Sequence, residues 1–179
     1  MSIEIIYVTH ALSEDNERGI ATGWLPGRLS AQGRENAAEM GRRRRDDGIA
    51  AVFSSDLRRA AETAQIAFGD SGIPILYDWR LRECDFGERN GTPGAAILAD
   101  REQHIDLPYP GGESHRQALR RVTGMLGDLP TRWAGQRIMI IGHMAAYRAL
   151  EHVVNNVTLE DLVAAEFTWR EQGWEYVLG

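Results

Sequence analysis

A single cysteine, Cys84, is all the chain carries, so no internal disulfide can form and a reducing, cytoplasmic setting is expected. Long apolar runs are missing as well. No stretch approaches the length of a membrane span, and Met1 leads directly into the first apolar segment, so neither an anchor nor a signal peptide is expected. Basic charge is not in excess: 20 Lys and Arg face 26 Asp and Glu, a net charge of −6. That balance leaves no global footprint for nucleic acid or an anionic membrane. The chain also has no repeat and no low-complexity tract. What is present is an ordinary globular composition, 43% hydrophobic and 26% charged, over 179 residues, enough for one domain with a full core.

Short runs rich in Ile and Val read as buried parallel strands. The pattern predicts strands at Ile3–Thr9, Ala51–Ser54, Ile73–Tyr77, Arg137–Ile141 and Trp174–Leu178. Helices fall between them. Ser30 caps one running through Met40 towards Arg45, with Gly48 as its stop, and Ser55 or Asp56 caps another from Leu57 to Phe68. Glu113–Leu126 and Ala145–Val154 read as helices, and Thr158 to Asp161 forms a capping box for a short one reaching Ala165. Strands alternating with helices predict an α/β fold, a three-layer α/β/α sandwich with a mostly parallel sheet in one domain, 1–179. Asp100–Gly112, with Pro108, Pro110, Gly111 and Gly112, reads as a surface excursion rather than a linker. The run Arg42–Arg45 is an exposed helix end whose cations complement the dipole. Trp133, Trp169 and Trp174 fit either a core or an interface, and the oligomeric state is left open.

Two of the predicted strands deliver a histidine. Ile3–Thr9 runs into His10, and Ile138–Gly142 runs into His143. In open α/β sheets, ligands bind just beyond the carboxyl ends of the strands. Two further segments reach that edge: Ser54-Ser55-Asp56-Leu57-Arg58-Arg59, where a strand gives way to a helix, and Leu81-Arg82-Glu83 after the next strand. A helix N-terminus favours anions, and Arg59 in its first turn offers a planar guanidinium. Phosphoryl transfer needs an uncharged imidazole nucleophile, cations on the non-bridging oxygens and an acid for the leaving group. His10, Arg59 with His143, and Glu83 can fill those roles. Each also has a plain structural reading, and two histidines with a carboxylate can hold a metal. A guanidinium beside a dication argues against that arrangement, so no metal and no cofactor are expected.

The ordered set resembles the histidine phosphatase superfamily, the branch that contains phosphoglycerate mutases and small phosphatases. Asn16 lies six residues after His10, and Gly23-Trp24-Leu25-Pro26-Gly27 resembles the family's glycine-tryptophan loop. Ser54 to Ala64 matches its second arginine motif, Pro110-Gly111-Gly112-Glu113-Ser114 its Gly-Glu-Ser element, and Ile138–His143 the strand of its second histidine. The resemblance implies that His10 accepts the phosphoryl group, that Arg59 and His143 bind it, and that Glu83 acts as general acid and then base. Asn16, Thr9, Thr22 and Gly23 would line the substrate side, and residues 88–112 would form a small cap. The activity so implied is a metal-independent phosphomonoester hydrolase acting on a small phosphorylated substrate.

One position departs from the pattern. Where the family reads Arg-His-Gly, this chain has Thr9-His10-Ala11. A hydroxyl donates a hydrogen bond but neutralises no charge. Met144 and Ala145 also replace the family's small, glycine-containing turn after the second histidine. Either another cation compensates, with Arg18, Arg28, Arg82 and Arg116 as candidates and His115 assisting, or the pocket binds an anionic ligand without hydrolysing it.

Overall fold

The computed structural model describes every residue from Met1 to Gly179. Its strands are β1 Ile3–Thr9, β2 Ile20–Ala21, β3 Ala51–Ser54, β4 Ile75–Tyr77, β5 Thr92–Pro93, β6 Arg137–Gly142 and β7 Trp174–Leu178. Its α-helices are α1 Glu14–Glu17, α2 Ala31–Arg44, α3 Arg58–Phe68, α4 Gly94–Asp100, α5 His115–Asp128, α6 Pro130–Trp133, α7 Met144–Asn155 and α8 Leu159–Ala164. Five strands make one sheet in the order β4-β3-β6-β1-β7, parallel except for β7 at the edge.

Alternation along the central strands builds three layers. Ile3, Ile5 and Tyr7 of β1, with Ile138 and Ile140 of β6, enter a core shared with α5 and α7 through residues such as Val122, Leu126, Ala149 and Leu150. Ile6, Val8, Met139 and Ile141 point the other way, onto Met40 of α2 and Ala60, Ala64 and Phe68 of α3. Successive side chains of a strand face opposite sides, so a strand buried on both faces reads as the unbroken apolar run seen at both places. The predicted three-layer, mostly parallel α/β architecture is what the chain adopts. No helix is long and apolar enough to cross a membrane.

Local chemistry explains where the elements begin. Ser30 accepts a hydrogen bond from Gly33 N–H and starts α2, and Ser114 forms a full capping box with Gln117 that starts α5 at His115 rather than Glu113. The third helix departs from expectation. Leu57 is its N-cap without a side-chain bond, while Asp56 is drawn off to form a bidentate pair with Arg82. β4 starts at Ile75 rather than Ile73, since Pro74 has no N–H for a ladder.

The segment after Phe86 leaves the sheet and returns. β5 pairs antiparallel with β2, Ile20 opposite Pro93 and Ala21 opposite Thr92, and Ile97 of α4 is buried. The excursion thereby docks on the loop that follows α1, beside the carboxyl edge of the sheet.

Candidate active site

Strand register brings the two histidines together. In the β1–β6 ladder Thr9 lies opposite Gly142, so His10 and His143, one residue further on, emerge side by side. Their ring centres are 5.1 Å apart. His10 N–H donates to Gly142 O, and Tyr7 Oη donates to His143 O at 2.7 Å, fixing both backbones.

The His10 ring is oriented by its neighbour. Nδ1 lies 2.8 Å from Ala11 O, a contact that only an Nδ1–H tautomer makes favourable. Nε2 then carries the lone pair, and Arg59 Nε–H donates to it at 3.3 Å. Burial, then the Arg59 charge, lowers the His10 pKa to about 3, so the imidazole is neutral at pH 7. Arg59 is 3% exposed and burial lowers its own pKa to about 10, which leaves it charged. Its fork also donates to Leu25 O and Gly23 O.

His143 is 2% exposed, and neither ring nitrogen has a hydrogen-bond partner. A buried polar group without a partner is uncommon and marks a place where a ligand's polar atom is accommodated. Burial, followed by Arg59 and His10, holds its pKa well below the ordinary value.

Glu83 sits on the start of α7. Its carboxylate accepts from Met144 N–H at 3.1 Å, Ala145 N–H at 3.2 Å and Cys84 N–H at 2.9 Å. An acid at a helix N-terminus satisfies free donors and complements the dipole. The segment that carries it is pinned by Arg121, whose guanidinium pairs with Glu113 and donates to the carbonyls of Arg80, Arg82 and Glu83. Trp24 Nε1–H donates to the same Glu83 O at 2.7 Å, with Arg82 over its ring. Reading the sequence did not single out Arg121 or this use of Trp24. The only signal was Glu113, a carboxylate eight residues before Arg121 and just ahead of the cap of its helix.

The remaining predicted positions divide. Asn16 lines the cavity described next, with Oδ1 accepting from Ser13 N–H and Oγ–H. Thr9 lines it too, and its hydroxyl accepts from Trp169 Nε1–H at 3.2 Å. Thr22 and Gly23 do not. Thr22 is buried and donates to Asp15, and a Cβ on Gly23 would lie 1.8 Å from Asn90 Oδ1, so the returning excursion fills that side. The candidate cations are also spoken for: Arg18 pairs with Asp15, Arg28 with Glu14, Arg82 with Asp56, and Arg116 with Asp106 and Glu160. His115 is buried beside Arg148, away from the histidine pair. No group of three or more His, Cys, Asp or Glu is arranged to hold a metal ion.

A cavity of about 580 Å³ reaches His10, Glu83 and His143 from the side of α2 and of the chain following α8. Two arginines line it. Arg43 pairs with Glu171, whereas Arg170 has no carboxylate partner and lies 5.6 Å from the Trp174 ring centre. Arg170 is thus the cavity arginine without a carboxylate partner, and it was hidden in sequence because it sits in a polar stretch far from any motif.

The buried neutral histidines have a consequence for stability. His115 is 4% exposed and its pKa is lowered to about 3 by burial and then Arg148, and His143 is lowered likewise. A base depressed in the folded state stabilises above the unfolded pKa of about 6.5 and loses that contribution as pH falls towards the folded value. His115 alone should cost about 2 kcal/mol by pH 5, and His143 adds a cost of the same sign. His10 titrates in the same direction, so urea unfolding midpoints are expected to drop steeply between pH 7 and 5, and His115→Gln to remove roughly a third of the slope; a flat profile would contradict this.

The matches to known proteins fit this geometry. Residues 5–170 match the model of the histidine phosphatase superfamily, branch 1. The chain is 30% identical to a 2,3-bisphosphoglycerate-dependent phosphoglycerate mutase of Bradyrhizobium sp. strain ORS 278, covering 90% of this chain and 86% of that one. Identity is 32% to the corresponding mutase of Rhizobium rhizogenes, over 92% and 85%. Among solved structures, Bacillus stearothermophilus YhfR superposes with a TM-score of 0.83 at 25% identity, covering 94% of this chain and 88% of that one. A mycobacterial glucosyl-3-phosphoglycerate phosphatase gives 0.78 at 25% identity, over 92% and 84%. A family model spanning nearly the whole chain and a matching fold lead to one conclusion: the chain belongs to the histidine phosphatase superfamily.

Proposed function

We propose that the chain is a metal-independent phosphomonoester hydrolase working through a phosphohistidine on His10. The observation that carries this reading is the tautomer lock: Nδ1–H donates to Ala11 O, which leaves the lone pair on Nε2, facing the Arg59 guanidinium. A phosphate entering the site displaces that Arg59 hydrogen bond and takes the guanidinium donor for itself. The phosphomonoester enters as its monoanion and passes its proton to the Glu83 carboxylate; Nε2 attacks phosphorus, the bond to the ester oxygen breaks, and Glu83 delivers that proton to the leaving oxygen. Water then attacks the phosphohistidine, Glu83 takes a proton from it, and inorganic phosphate leaves with His10 restored. His143 supplies one of its unpartnered nitrogens as a donor to a non-bridging oxygen.

Hydrolysis is favoured over a mutase reaction. A mutase must hold and reorient a multiply charged intermediate, and here the charges of Arg59 and Glu83 offset each other. The buried, unpaired Cys84 supports a reducing compartment such as the cytoplasm. The second reading, an anion-binding protein without turnover, is favoured by Thr9 alone, since a neutral residue stands where a phosphate clamp is expected.

Incubation with a radiolabelled aryl phosphate and quenching in alkali tests the reading. Wild type should carry an acid-labile, alkali-stable label that His10→Ala lacks, and the variant should lose turnover by roughly 10³–10⁶-fold. Turnover that survives His10→Ala would overturn the phosphohistidine route. Orthophosphate that raises Tm without any turnover would favour the second reading.

A further inference from the structure

The chain after α8 forms one wall of the cavity over His10. Residues 166–170 form no regular element; the turn from Arg170 to Gly173 closes through Gly173 N–H to Arg170 O. Gly173 has φ +71°, and a Cβ there would lie 2.2 Å from Tyr7 O, so this turn is pressed onto β1. Arg43 to Glu171 and Arg44 to Gln172 O tie it to α2 on the other side. The segment is thus anchored at both flanks, and Trp169 reaches across to the Thr9 hydroxyl.

Apolar side chains face one another across the space it encloses: Val8 and Leu12 from the first strand and its loop, Ala37 and Met40 from α2, Phe167 and Trp169 from the segment. Trp169 is 58% exposed and Phe167 38%, large rings held at the cavity without being closed into the core. The charged groups at its edge are mostly neutralised, Arg43 by Glu171 and Glu39 by Arg42, which leaves Arg170 as the unpaired cation. The opposite approach to His10, past Thr22 and Gly23, is packed against Asn90. A volume of about 580 Å³ falls within the usual range for small-molecule sites.

We propose that this cavity receives the organic half of the substrate and selects phosphomonoesters of apolar, ring-bearing alcohols, with Trp169 as the wall on which the ring lies. The proposal rests on the hydrolase reading above and adds a substrate class to it. A ring covers Trp169, Phe167 and Met40 and removes apolar surface from water on both partners. A three-carbon acid phosphate leaves those walls wet and brings a second anion to a cavity with one unpaired cation.

The test compares naphthyl phosphate, glycerol phosphate and 3-phosphoglycerate with wild type, Trp169→Ala and Trp169→Phe, alongside binding of a non-hydrolysable naphthyl phosphonate. Wild type should favour naphthyl phosphate over 3-phosphoglycerate by about a hundredfold or more in kcat/KM. Trp169→Ala should raise KM for naphthyl phosphate and Kd for the phosphonate by about tenfold to a hundredfold. It should leave kcat and the glycerol phosphate KM within a few-fold, while Trp169→Phe retains most of the affinity. Preference for 3-phosphoglycerate, or a Trp169→Ala effect equal on all substrates, would overturn the proposal. If no ester is turned over, the hydrolase reading fails on its own. The cavity assignment then stands on phosphonate binding that Trp169→Ala abolishes and falls if the variant binds as wild type does.

Discussion

Arg59→Ala is expected to lower kcat/KM for every phosphomonoester by roughly 10³–10⁵-fold. The size follows from how few charges the site holds. His10 and His143 are both neutral at pH 7, and the Glu83 carboxyl group, bound to the start of α7, brings no positive charge. Arg59 is therefore the cation that meets the transferring phosphate in a site where Thr9 supplies none. Leu25 and Gly23 engage two of its five N–H groups, so three donors remain for phosphate oxygens once the bond to His10 is displaced. The same bonds join β1, α3 and the loop after β2, so Tm should fall as well. Arg59→Lys separates the two effects. It keeps the charge but not the fork, and should recover a part of the activity while leaving the loop carbonyls unpaired. Orthophosphate should raise the Tm of wild type and fail to raise that of Arg59→Ala. Wild-type kinetics in the alanine variant would remove Arg59 from the chemistry.

How much of this was legible in sequence depended on whether neighbours along the chain or across the fold decide the outcome. The layers were legible because Ile5 to Val8 and Ile138 to Ile141 are buried on both faces and leave no polar break. The pairing of His10 with His143 was legible as a shared sheet edge, while their adjacency comes from the β1–β6 register, which no local pattern encodes. The start of α3 was misjudged because Asp56, a good cap by type, has a stronger partner in Arg82, distant in sequence. Thr22 and Gly23 were assigned to the substrate side by resemblance, yet the Asn90 loop lies against Gly23 and the Thr22 hydroxyl is turned to Asp15. Arg121, Trp169 and Arg170 were missed for one reason. Each acts across a contact between distant segments, and none stands in a run, a cap or a repeat that marks it.

Glu83→Gln carries the second large effect, a fall in kcat of roughly 10²–10⁴-fold. The proton it delivers matters most when the leaving oxygen is a poor one. An alkoxide cannot depart unprotonated at neutral pH, whereas a phenoxide nearly can, so the loss should be greater for alkyl than for aryl phosphates. That gradient distinguishes loss of an acid from general damage, which would lower both alike. Glutamine also sets an NH₂ group against one of the N–H donors of Met144 and Ala145, two donors face to face, so Tm should drop modestly. The pH profile supplies the remaining control. His10 has its pKa lowered to about 3, so the nucleophile is unprotonated at every pH above that value and loses a fraction only as pH falls through it. The His10 ring resonances of the free enzyme, followed by NMR, should therefore show no titration near 6.5, where a free imidazole titrates. A titration at that pH in both wild type and Glu83→Gln would mean that His10 is not held neutral by burial and Arg59, and the assignment of Nε2 as a standing nucleophile would fall with it.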